Sequence, residues 1–590
     1  MGHIISKIKI ENFKSIINED FELSKFTPLV GYNNAGKSNI LEAIRWVLRK
    51  TSLSANYFND VSQPITVSAS IEGISSEILD NIDQGHRARI EPFLNNETIT
   101  IKRIQTSPGQ SVAQIQLQVL DPNDNTTWQN NPTGIDNAIK DLFPEPIHIG
   151  AMENSEEDIS RSSSTSTIGK LLAEIIGPIE IQYGERVNEA LNGLKEILDV
   201  EGVNRAPELE AFDQQINTKL DAFFPDISVK VHIPTPELKE VFKKGTIKVY
   251  ENQFPNAKDV NSLGHGAQRS IQMTLIRHLA DLKLSQQANR TTTLLLIDEP
   301  ELYLHPQAIE ILRNSLTILS NQGYQVIFST HSPFMITQKD VGNTILIRKN
   351  DTLGTFKRTT LKSAIPAIES QAQHQLTLLY SLSNSSNILF SEKVIIAEGK
   401  TENKLIPVLI ENITNKTILH HKTAFVRLDG SGNTKKTMQV LKTMDLPTKA
   451  IVDLDYAMKN GISEGYLQAN DEDINACLTE LLNIAPTNNI FIGADGWPSK
   501  NGNSITAADA FAILAQSQNT KQNIENICLK MRAHNIWVWK KGTIEKHLNL
   551  SGKNEAIWAN FCNNLETSNL QTLLPNDYEE IEDCINWLLQ

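Results

Sequence analysis

Two sets of residues in this 590-residue sequence have the types and spacing needed for phosphate chemistry. The first set forms a glycine-bounded loop, which follows an apolar run ending at Val30 and precedes a helical pattern at 39–48. In that setting backbone N–H groups can surround phosphates, Lys37 can reach the β- and γ-phosphates, and the Ser38 hydroxyl can hold Mg²⁺. A glycine-rich turn that only opens a helix is the alternative for this segment alone. The candidate nucleotide-binding residues are Gly31, Asn33, Asn34, Gly36, Lys37 and Ser38.

Two later strand patterns end in residues that suit nucleotide hydrolysis. An apolar run at 294–297 has the pattern of a buried parallel strand and ends in Asp298 and Glu299. Asp298 would orient the Mg²⁺ shell, and Glu299 would polarise the water that attacks the γ-phosphate. A strand pattern at 326–330 precedes His331. Taken alone, a histidine such as His331 is more often a core histidine than a γ-phosphate sensor.

Five motifs follow one another in the order found in ABC-type ATPases. In order, they resemble that family's phosphate loop (the glycine-bounded loop), signature motif (262–269), acidic strand end (Asp298-Glu299), D-loop (300–306) and switch histidine (His331). The opening pattern IxIxNFKSI at 8–16 resembles SMC- and RecF-type members, which act on DNA. In that class the signature segment of one protomer closes over the nucleotide of another. The resemblance therefore implies a dimer or higher homo-oligomer, in which ATP is also bound by Gly264, Gly266 and Gln268.

The second set consists of carboxylates at the ends of two apolar strand patterns. Glu398 ends the run at 394–397, and Glu402 follows at the start of a helical pattern. Asp453 and Asp455 follow the run at 450–452, and on an extended chain residues two apart point to one side. Active sites of α/β sheets lie at such strand ends. Oxygen donors of this kind suit Mg²⁺ or Mn²⁺, so the sequence predicts a divalent-metal site.

The spacing of this second set is similar to that of Toprim domains. Three features together resemble the Toprim domain of topoisomerases, primases and nucleases: E-G-x-x-E at 398–402, a glycine-containing strand end at 428–432 and the DxD at 453–455. An SMC-like ATPase in front of a Toprim domain resembles the OLD (overcoming lysogenization defect) family, which includes the Gabija nuclease. The segments at 29–38 and 143–148 are similar to the single-gene, phage-encoded subgroup. The resemblance spans nearly the whole chain and implies ATP, a divalent metal (Mg²⁺, with Mn²⁺ or Ca²⁺ as alternatives), DNA cleavage and a role in phage defence or exclusion.

The same resemblance implies a further catalytic segment near the C-terminus. Residues 536–545 have the pattern of an aromatic strand, a turn with two lysines and a helix that starts near Glu545. Glu545 would complete the metal shell, and a lysine would stabilise the pentavalent phosphorane. Lys541 is preferred to Lys540 because it directly precedes a glycine, and a solvated lysine pair is the alternative. This role requires the strand at 537–539 to lie beside the strand that ends at Asp453.

Composition limits the remaining classes of protein. Apolar residues make up 40% and charged residues 21% of the chain, which describes an ordinary globular protein. No apolar run approaches the length of about 18 residues that spans a membrane, and the N-terminus does not have a signal-peptide pattern. Four scattered cysteines indicate a reducing cytoplasm. The net charge of −14 means that DNA must be contacted through local basic patches.

The predicted fold class is α/β, with an ABC-type ATPase interrupted by a helical insertion and followed by a Toprim domain. The predicted boundaries are 1–150 and 230–383 for the two halves of the ATPase, 151–229 for the insertion as a dimerisation element, and 384–590 for the Toprim domain. Within the insertion, helical patterns at 168–176, 187–198 and 209–223 are separated by a predicted stop or kink at Gly177-Pro178. A helical cap without a role in assembly is the alternative. Polar stretches at 154–167 and 383–387 indicate exposed connections.

Three functions compete at this stage. The preferred one is an ATP-hydrolysing, metal-dependent DNA endonuclease or nickase, with exonuclease activity as an addition. A topoisomerase- or primase-like Toprim enzyme is the second, although no DNA-gate domain with a nucleophilic tyrosine is evident. An ATP-switched nucleic-acid sensor without nuclease activity is the third, and the intact acidic set weighs against it.

Overall fold

The computed structural model describes the chain except at residues 1, 125, 144–145, 151–166, 225, 236–239, 241–246, 252–253, 286–291, 338, 365–384, 429–430 and 503. Its contacts divide the chain into two compact units. The first unit contains Met1–Pro28, Gly36–Met335 and Asn350–Thr355, and the second contains Leu29–Ala35, Ile336–Lys349 and Phe356–Gln590. The loop predicted at 154–167 lies almost wholly outside the described residues, as does the start of the connection predicted at 383–387.

Strands dominate the first part of the chain. Up to Lys357 they are β1 (Ile4–Phe13), β2 (Ile16–Glu22), β3 (Phe26–Val30), β4 (Ile65–Glu72), β5 (Ile99–Gln105), β6 (Gln116–Leu120), β7 (Trp128–Asn130), β8 (Ile147–Ile149), β9 (Lys248–Glu251), β10 (Phe254–Asp259), β11 (Thr293–Ile297), β12 (Tyr324–Thr330), β13 (Ile345–Asn350) and β14 (Gly354–Lys357). The order β7-β6-β5-β4-β1-β2 is antiparallel. Buried residues alternate with more exposed ones along β4 and β5, as expected of strands that pack one face against a core.

The strands that carry the phosphate chemistry are parallel. β11 pairs in parallel with both β8 and β12, and every residue of β11 and β12 is buried. This confirms that the apolar run at 294–297 is a central parallel strand. In the second unit, the end of β3 pairs in parallel with β13 through Leu29 and Val30. Parallel strands place their carboxyl ends at one edge, which is where Asp298 and His331 follow β11 and β12.

The helices of this part include two in the range 151–229, where an insertion is predicted. They are α1 (Lys37–Leu48), α2 (Ser76–Leu79), α3 (Gln84–Ile90), α4 (Ile135–Leu142), α5 (Thr167–Leu198), α6 (Pro207–Leu220), α7 (His265–Ser285), α8 (Pro306–Asn321) and α9 (Leu361–Ala364). Of the stop or kink predicted at Gly177-Pro178, the stop is wrong, because α5 continues through both residues. Pro178 lacks the backbone N–H that would donate one helical hydrogen bond. The turns on either side of Pro178 still form their hydrogen bonds in this helix of 32 residues, so the helix continues. Among the described residues, no helix has both the length and the apolar character needed to cross a membrane.

The rest of the second unit is built on a parallel sheet in the order β16-β15-β17-β20. Its strands are β15 (Lys393–Ala397), β16 (Thr423–Arg427), β17 (Thr448–Val452) and β20 (Ile536–Val538), and the pair β18 (Phe491–Ile492) and β19 (Pro498–Ser499) lies apart. The helices are α10 (Ser385–Leu389), α11 (Lys400–Thr414), α12 (Thr434–Thr443), α13 (Leu454–Asn460), α14 (Glu472–Ile484), α15 (Ala507–Gln516), α16 (Lys521–Arg532), α17 (Ile544–His547), α18 (Glu555–Thr567), α19 (Leu570–Leu573) and α20 (Tyr578–Leu589).

Both faces of this sheet are covered by hydrophobic cores. Val394 and Ile396 of β15 enter one core, and Ile395 and Ala397 enter the other. Successive side chains of a strand point to opposite faces, so this continuous apolar run is what a sheet covered on both sides requires. The strand predicted at 537–539 is confirmed as β20. It lies beside β17, with Val538 opposite Val452.

Candidate functional site

The end of the glycine-bounded loop is shaped by backbone conformation. Gly36 has a φ of 101°, which an L side chain rarely adopts, and a β-carbon there would collide with the Thr355 hydroxyl. α1 begins at the next residue, Lys37, whose side chain is 5% exposed. Asn33 and Asn34 are exposed, and Asn34 also has a positive φ of 65°. A helix N-terminus that directly follows a glycine turn presents backbone N–H groups to an anion.

Ser38 and Asp298 are brought together as a metal-binding pair requires. The Ser38 hydroxyl donates to Asp298 Oδ2 at 2.6 Å, and the Ser329 hydroxyl donates to Asp298 Oδ1. Ser329 also accepts a hydrogen bond from the backbone N–H of Glu299 at 3.0 Å. One serine at the end of β12 thus orients both carboxylate residues that follow β11. Sequence reasoning missed Ser329, because nothing but its place before Thr330 and His331 marks it.

His331 lies between the two residues with which it would act. Its Nε2 is 2.7 Å from Lys37 Nζ and 3.2 Å from Glu299 Oε1. The hydrogen bond to His331 is the main cause that lowers the pKa of Glu299, against the opposing effect of burial, and the charges of Lys37 and Arg269 lower it further. Glu299 is therefore held as a carboxylate, which is the form that can polarise a water molecule. Its φ of 46° is unusual for a glutamate.

The signature-like segment begins α7 and contacts the stretch that follows Asp298-Glu299. The His265 ring stacks on the Tyr303 ring with centroids 5.1 Å apart, and a β-carbon at Gly266 would lie 2.8 Å from the Tyr303 carbonyl oxygen. Gly264 is exposed and faces open space. Gln268, by contrast, is buried, and its amide donates to the Leu263 carbonyl at 2.9 Å. In this chain its side chain stabilises the turn that begins the helix.

Arg269 is a second residue of this region that sequence reasoning missed. It is 2% exposed, and its guanidinium donates to the backbone carbonyls of Asp298 at 3.0 Å and Glu299 at 3.2 Å. The first turn of α7 is thereby attached to the end of β11. No spacing in the sequence indicates these contacts with backbone carbonyls, since the burial of Arg269 is known only from the structure.

The predicted carboxylates gather at the carboxyl edge of the β16-β15-β17-β20 sheet. Glu402, in the first turn of α11, is 3% exposed, and its carboxylate lies so close to Gly399 that a β-carbon there would not fit. Burial raises the pKa of Glu402 to about 7, and the neighbouring Glu545 and Glu398 carboxylates add to this shift. Burial, and then the Glu402 carboxylate, likewise raise the pKa of Asp453 well above its usual value. These are the properties of acidic groups that need a nearby cation.

Glu545 joins this cluster, as the sequence predicted. It is 5% exposed and accepts a hydrogen bond from the Thr401 hydroxyl, which lies next to Glu402. The Lys553 ammonium lies 3.3 Å from Glu545 Oε2 and 3.8 Å from Asp453 Oδ2. Sequence reasoning missed Lys553, because the Ser-Gly-Lys-Asn segment around it has no distinctive pattern. We name Glu398, Glu402, Asp453, Asp455 and Glu545 the acidic cluster.

Asp455 does not lie on an extended chain. Asp453 is the residue before α13, where its side chain makes no capping hydrogen bond, and Asp455 lies in the first turn of that helix. The expected alternation of an extended strand is therefore wrong here, since the chain turns into a helix directly after Val452. The charge of Asp455 still contributes to the raised pKa of Asp453, so the two carboxylates remain neighbours.

The donors of the acidic cluster fit a hard divalent cation. Asp453 Oδ1 is buried and has no hydrogen-bond partner among the described residues. Carboxylate oxygens are the ligands that Mg²⁺ and Mn²⁺ prefer. Within the described parts of the chain, no three His, Cys, Asp or Glu side chains already converge as a complete ligand set. Lys553 supplies the positive charge in this arrangement, and a bound cation would draw the same carboxylates together.

Lys540 and Lys541 line a separate cavity of about 630 Å³. The Lys541 ammonium lies 2.7 Å from the Asp577 carboxylate, which also accepts a hydrogen bond from His547 Nδ1 at 3.0 Å. Lys540 pairs with Glu580 at 3.0 Å and with Glu525 at 2.9 Å. The structure thus gives both lysines partners outside the acidic cluster and brings Lys553 to it instead.

Two family models match the chain. The model described as an AAA ATPase domain matches residues 4–336, which is more than half of the chain. The model described as the TOPRIM domain of overcoming lysogenization defect protein-like proteins matches residues 389–455. The first match contains the residues around Lys37, Asp298 and His331. The second contains Glu398, Glu402, Asp453 and Asp455.

Curated relatives extend the similarity over the whole chain. The Old nuclease of Escherichia phage P2 is 36% identical over 589 residues, which cover 99% of this chain and 99% of that protein. Endonuclease GajA of Bacillus cereus (strain VD045) is 24% identical, covering 69% of this chain and 68% of that protein. The OLD nuclease of Thermus scotoductus is 21% identical, covering 77% of this chain and 82% of that protein.

Proposed function

The chain belongs to the OLD nuclease family, with an AAA ATPase domain and a TOPRIM domain, and on that premise we propose that it hydrolyses ATP at one site and cleaves DNA with divalent metal ions at the other. The observation that carries the second half of the proposal is the acidic cluster. Its carboxylates come from three separate segments of the sheet edge, and burial raises the pKa of Glu402 to about 7. Evolution of such a cluster without a cation would be costly to stability.

At the nucleotide site each side chain has a role that its position supports. The loop up to Gly36 and the Lys37 ammonium would hold the phosphates, and Ser38 with Asp298 would hold Mg²⁺. Glu299 would orient and deprotonate the attacking water, and His331 would link that carboxylate to Lys37. The exposed Gly264 and the neighbouring Gly266 support a homo-oligomer in which this segment covers the nucleotide of a partner.

At the nuclease site Glu398, Glu402, Asp453, Asp455 and Glu545 would hold the metal ions, with Mg²⁺ preferred and Mn²⁺ or Ca²⁺ as substitutes. Such ions generate a hydroxide nucleophile and stabilise the leaving oxygen of a phosphodiester. Lys553 takes the role that the sequence favoured for Lys541. Its ammonium already faces Asp453 and Glu545, where it can neutralise the additional charge of the pentavalent phosphorane.

We infer the cellular setting from the family and from the cysteines. All four cysteines of the sequence are unpaired, which supports a reducing cytoplasm. A role in phage exclusion is proposed on family membership alone.

Two variants on one helix test the proposal. Glu402→Gln replaces a buried carboxylate by an amide of the same shape, and Glu411→Gln makes the same change at an exposed position of α11. With Mg²⁺ or Mn²⁺ and supercoiled plasmid, we expect Glu402→Gln to lose nicking and linearisation while ATP hydrolysis persists, and Glu411→Gln to keep both activities. Lys37→Ala should show the reverse pattern, because its change lies at the nucleotide site. Topoisomer ladders would instead identify a topoisomerase. If the parental protein left the plasmid unchanged, the ATP-switched sensor without nuclease activity would be the remaining function.

A further inference from the structure

A partly buried glutamate that the proposed reaction does not use lies two residues after Glu299. Glu301 is largely withdrawn from solvent, and burial raises its pKa. Its Oε1 accepts two hydrogen bonds, one from the Thr330 hydroxyl at 2.7 Å and one from the backbone N–H of His331 at 2.8 Å. Its Oε2 is buried and has no hydrogen-bond partner among the described residues.

These bonds fix the backbone at the point where β12 ends. The same Thr330 hydroxyl accepts a hydrogen bond from the Ser332 backbone N–H at 3.0 Å. Glu301, Thr330 and Ser332 thus hold the peptide groups on both sides of His331. Because the imidazole must lie 2.7 Å from Lys37 Nζ and 3.2 Å from Glu299 Oε1, a small shift of this backbone would move it out of reach.

Glu301 is also centred in a segment with unusual backbone conformations. Glu299 and Tyr303, two residues before and after it, have φ values of 46° and 64°. Tyr303 contacts the start of α7 through the His265 ring. The carboxylate therefore joins the segment that contacts the signature-like residues to the segment that carries His331. Strained residues persist only where neighbouring contacts hold them.

We propose that Glu301 is a positioning residue for ATP hydrolysis, which sets His331 against Lys37 and Glu299 by hydrogen bonding to the backbone of His331 and to Thr330. This role acts through His331 and requires no contact between Glu301 and the nucleotide. Its role depends on the acceptor oxygen and on the length of the side chain, and the negative charge is not required. The inference rests on the proposed ATPase activity of this site.

Three substitutions separate these properties. Glu301→Gln keeps an acceptor oxygen at the same reach, so we expect the kcat for ATP to stay within about 3-fold of the parental value. Glu301→Asp keeps the charge but withdraws the oxygens by one methylene group, and Glu301→Ala removes them. Both should lower kcat by about 10-fold or more, because two hydrogen bonds to a buried acceptor are lost. The KM for ATP should change by less than about 2-fold, since Lys37 and the loop are untouched.

A combination with His331→Ala distinguishes positioning from a general loss of structure. If Glu301 acts through His331, Glu301→Asp should lower kcat in the parental protein but leave it unchanged in the His331→Ala background. Glu310→Gln, at an exposed position of α8, is the matched control and should change neither constant.

The outcomes separate this inference from the proposed function. A parental protein without ATPase activity would overturn the proposed activity and this inference with it. A parental protein with activity would overturn the inference alone in either of two cases: if Glu301→Asp retained more activity than Glu301→Gln, or if Glu301→Asp lowered kcat equally with and without His331.

Discussion

Replacing Lys553 by methionine should tighten metal binding at the acidic cluster and slow DNA cleavage. The Lys553 ammonium lies 3.3 Å from Glu545 Oε2 and 3.8 Å from Asp453 Oδ2. Both carboxylates belong to the proposed metal ligands. A bound divalent ion and the ammonium therefore share the same negative charges and repel each other. Methionine keeps most of the length of the side chain and removes only this charge.

The size of the effect follows from the distances and from the exposure of Lys553. At an effective dielectric constant of about 20, unit charges separated by 3.3 Å attract each other by about 5 kcal/mol. Because the Lys553 side chain is 54% exposed, solvent screening reduces the net contribution to about 1 kcal/mol. This corresponds to a metal affinity about 5-fold higher in Lys553→Met. Cleavage should nevertheless fall by about 100-fold, since the charge that stabilises the phosphorane is lost.

Two measurements on the full-length protein test these opposite changes. Calorimetric titration with Mn²⁺, in the absence of nucleotide, gives the affinity, and nicking of supercoiled plasmid at saturating Mn²⁺ gives the rate. Lys404→Met is the matched control, because Lys404 is equally exposed and pairs only loosely with Glu555, at 3.8 Å. An unchanged Mn²⁺ affinity in Lys553→Met would refute the idea that ammonium and metal share carboxylates. If Lys553→Met cleaved DNA at the parental rate at saturating metal, Lys553 would have no role in cleavage.

Three further predictions concern other parts of the chain. Glu299→Gln should slow ATP hydrolysis by about 100-fold or more while nucleotide still binds, as filter binding of labelled ATP would show, because the amide cannot accept the proton of the attacking water. Lys541→Ala should keep nicking activity within about 3-fold, since its ammonium pairs with Asp577, and a larger loss would restore Lys541 as the catalytic lysine. Burial lowers the pKa of His3 from 6.5 to about 4, so the unfolded chain takes up this proton first, and stability should fall by up to about 3 kcal/mol between pH 6.5 and pH 4. Urea unfolding across that range should show this slope, and His3→Leu should reduce it.

The candidate nucleotide site could be predicted from the sequence because its residues lie in short motifs at strand ends. The apolar run before Asp298 predicted a buried parallel strand, and the run before His331 predicted a strand; the structure confirms these as β11 and β12, which are parallel to each other. Parallel strands bring their carboxyl ends together whatever their separation in sequence. The contacts between Lys37, His331 and Glu299 follow from that geometry.

Residues that act through hydrogen bonds to the backbone could not be found in this way. Ser329, Arg269 and Glu301 contact peptide groups of neighbouring strand ends, and no spacing rule specifies such partners. The stop predicted at Gly177-Pro178 failed for a related reason. Local propensity indicates where a helix is weakened, whereas the length of helix on either side decides whether it breaks.

The sequence alone does not decide which of the candidate lysines lies beside the acidic cluster. Identification of β20 required only its aromatic pattern, and its place beside β17 put the following residues next to Asp453. Beyond β20, however, the chain turns at Gly542 and enters the short helix α17, so the direction of each side chain depends on that turn. Glu545 points back to Thr401, while Lys541 points to Asp577. Lys553 reaches the acidic cluster from the next loop because a buried group of carboxylates selects the nearest cation that can approach it, and proximity of this kind is decided by tertiary packing.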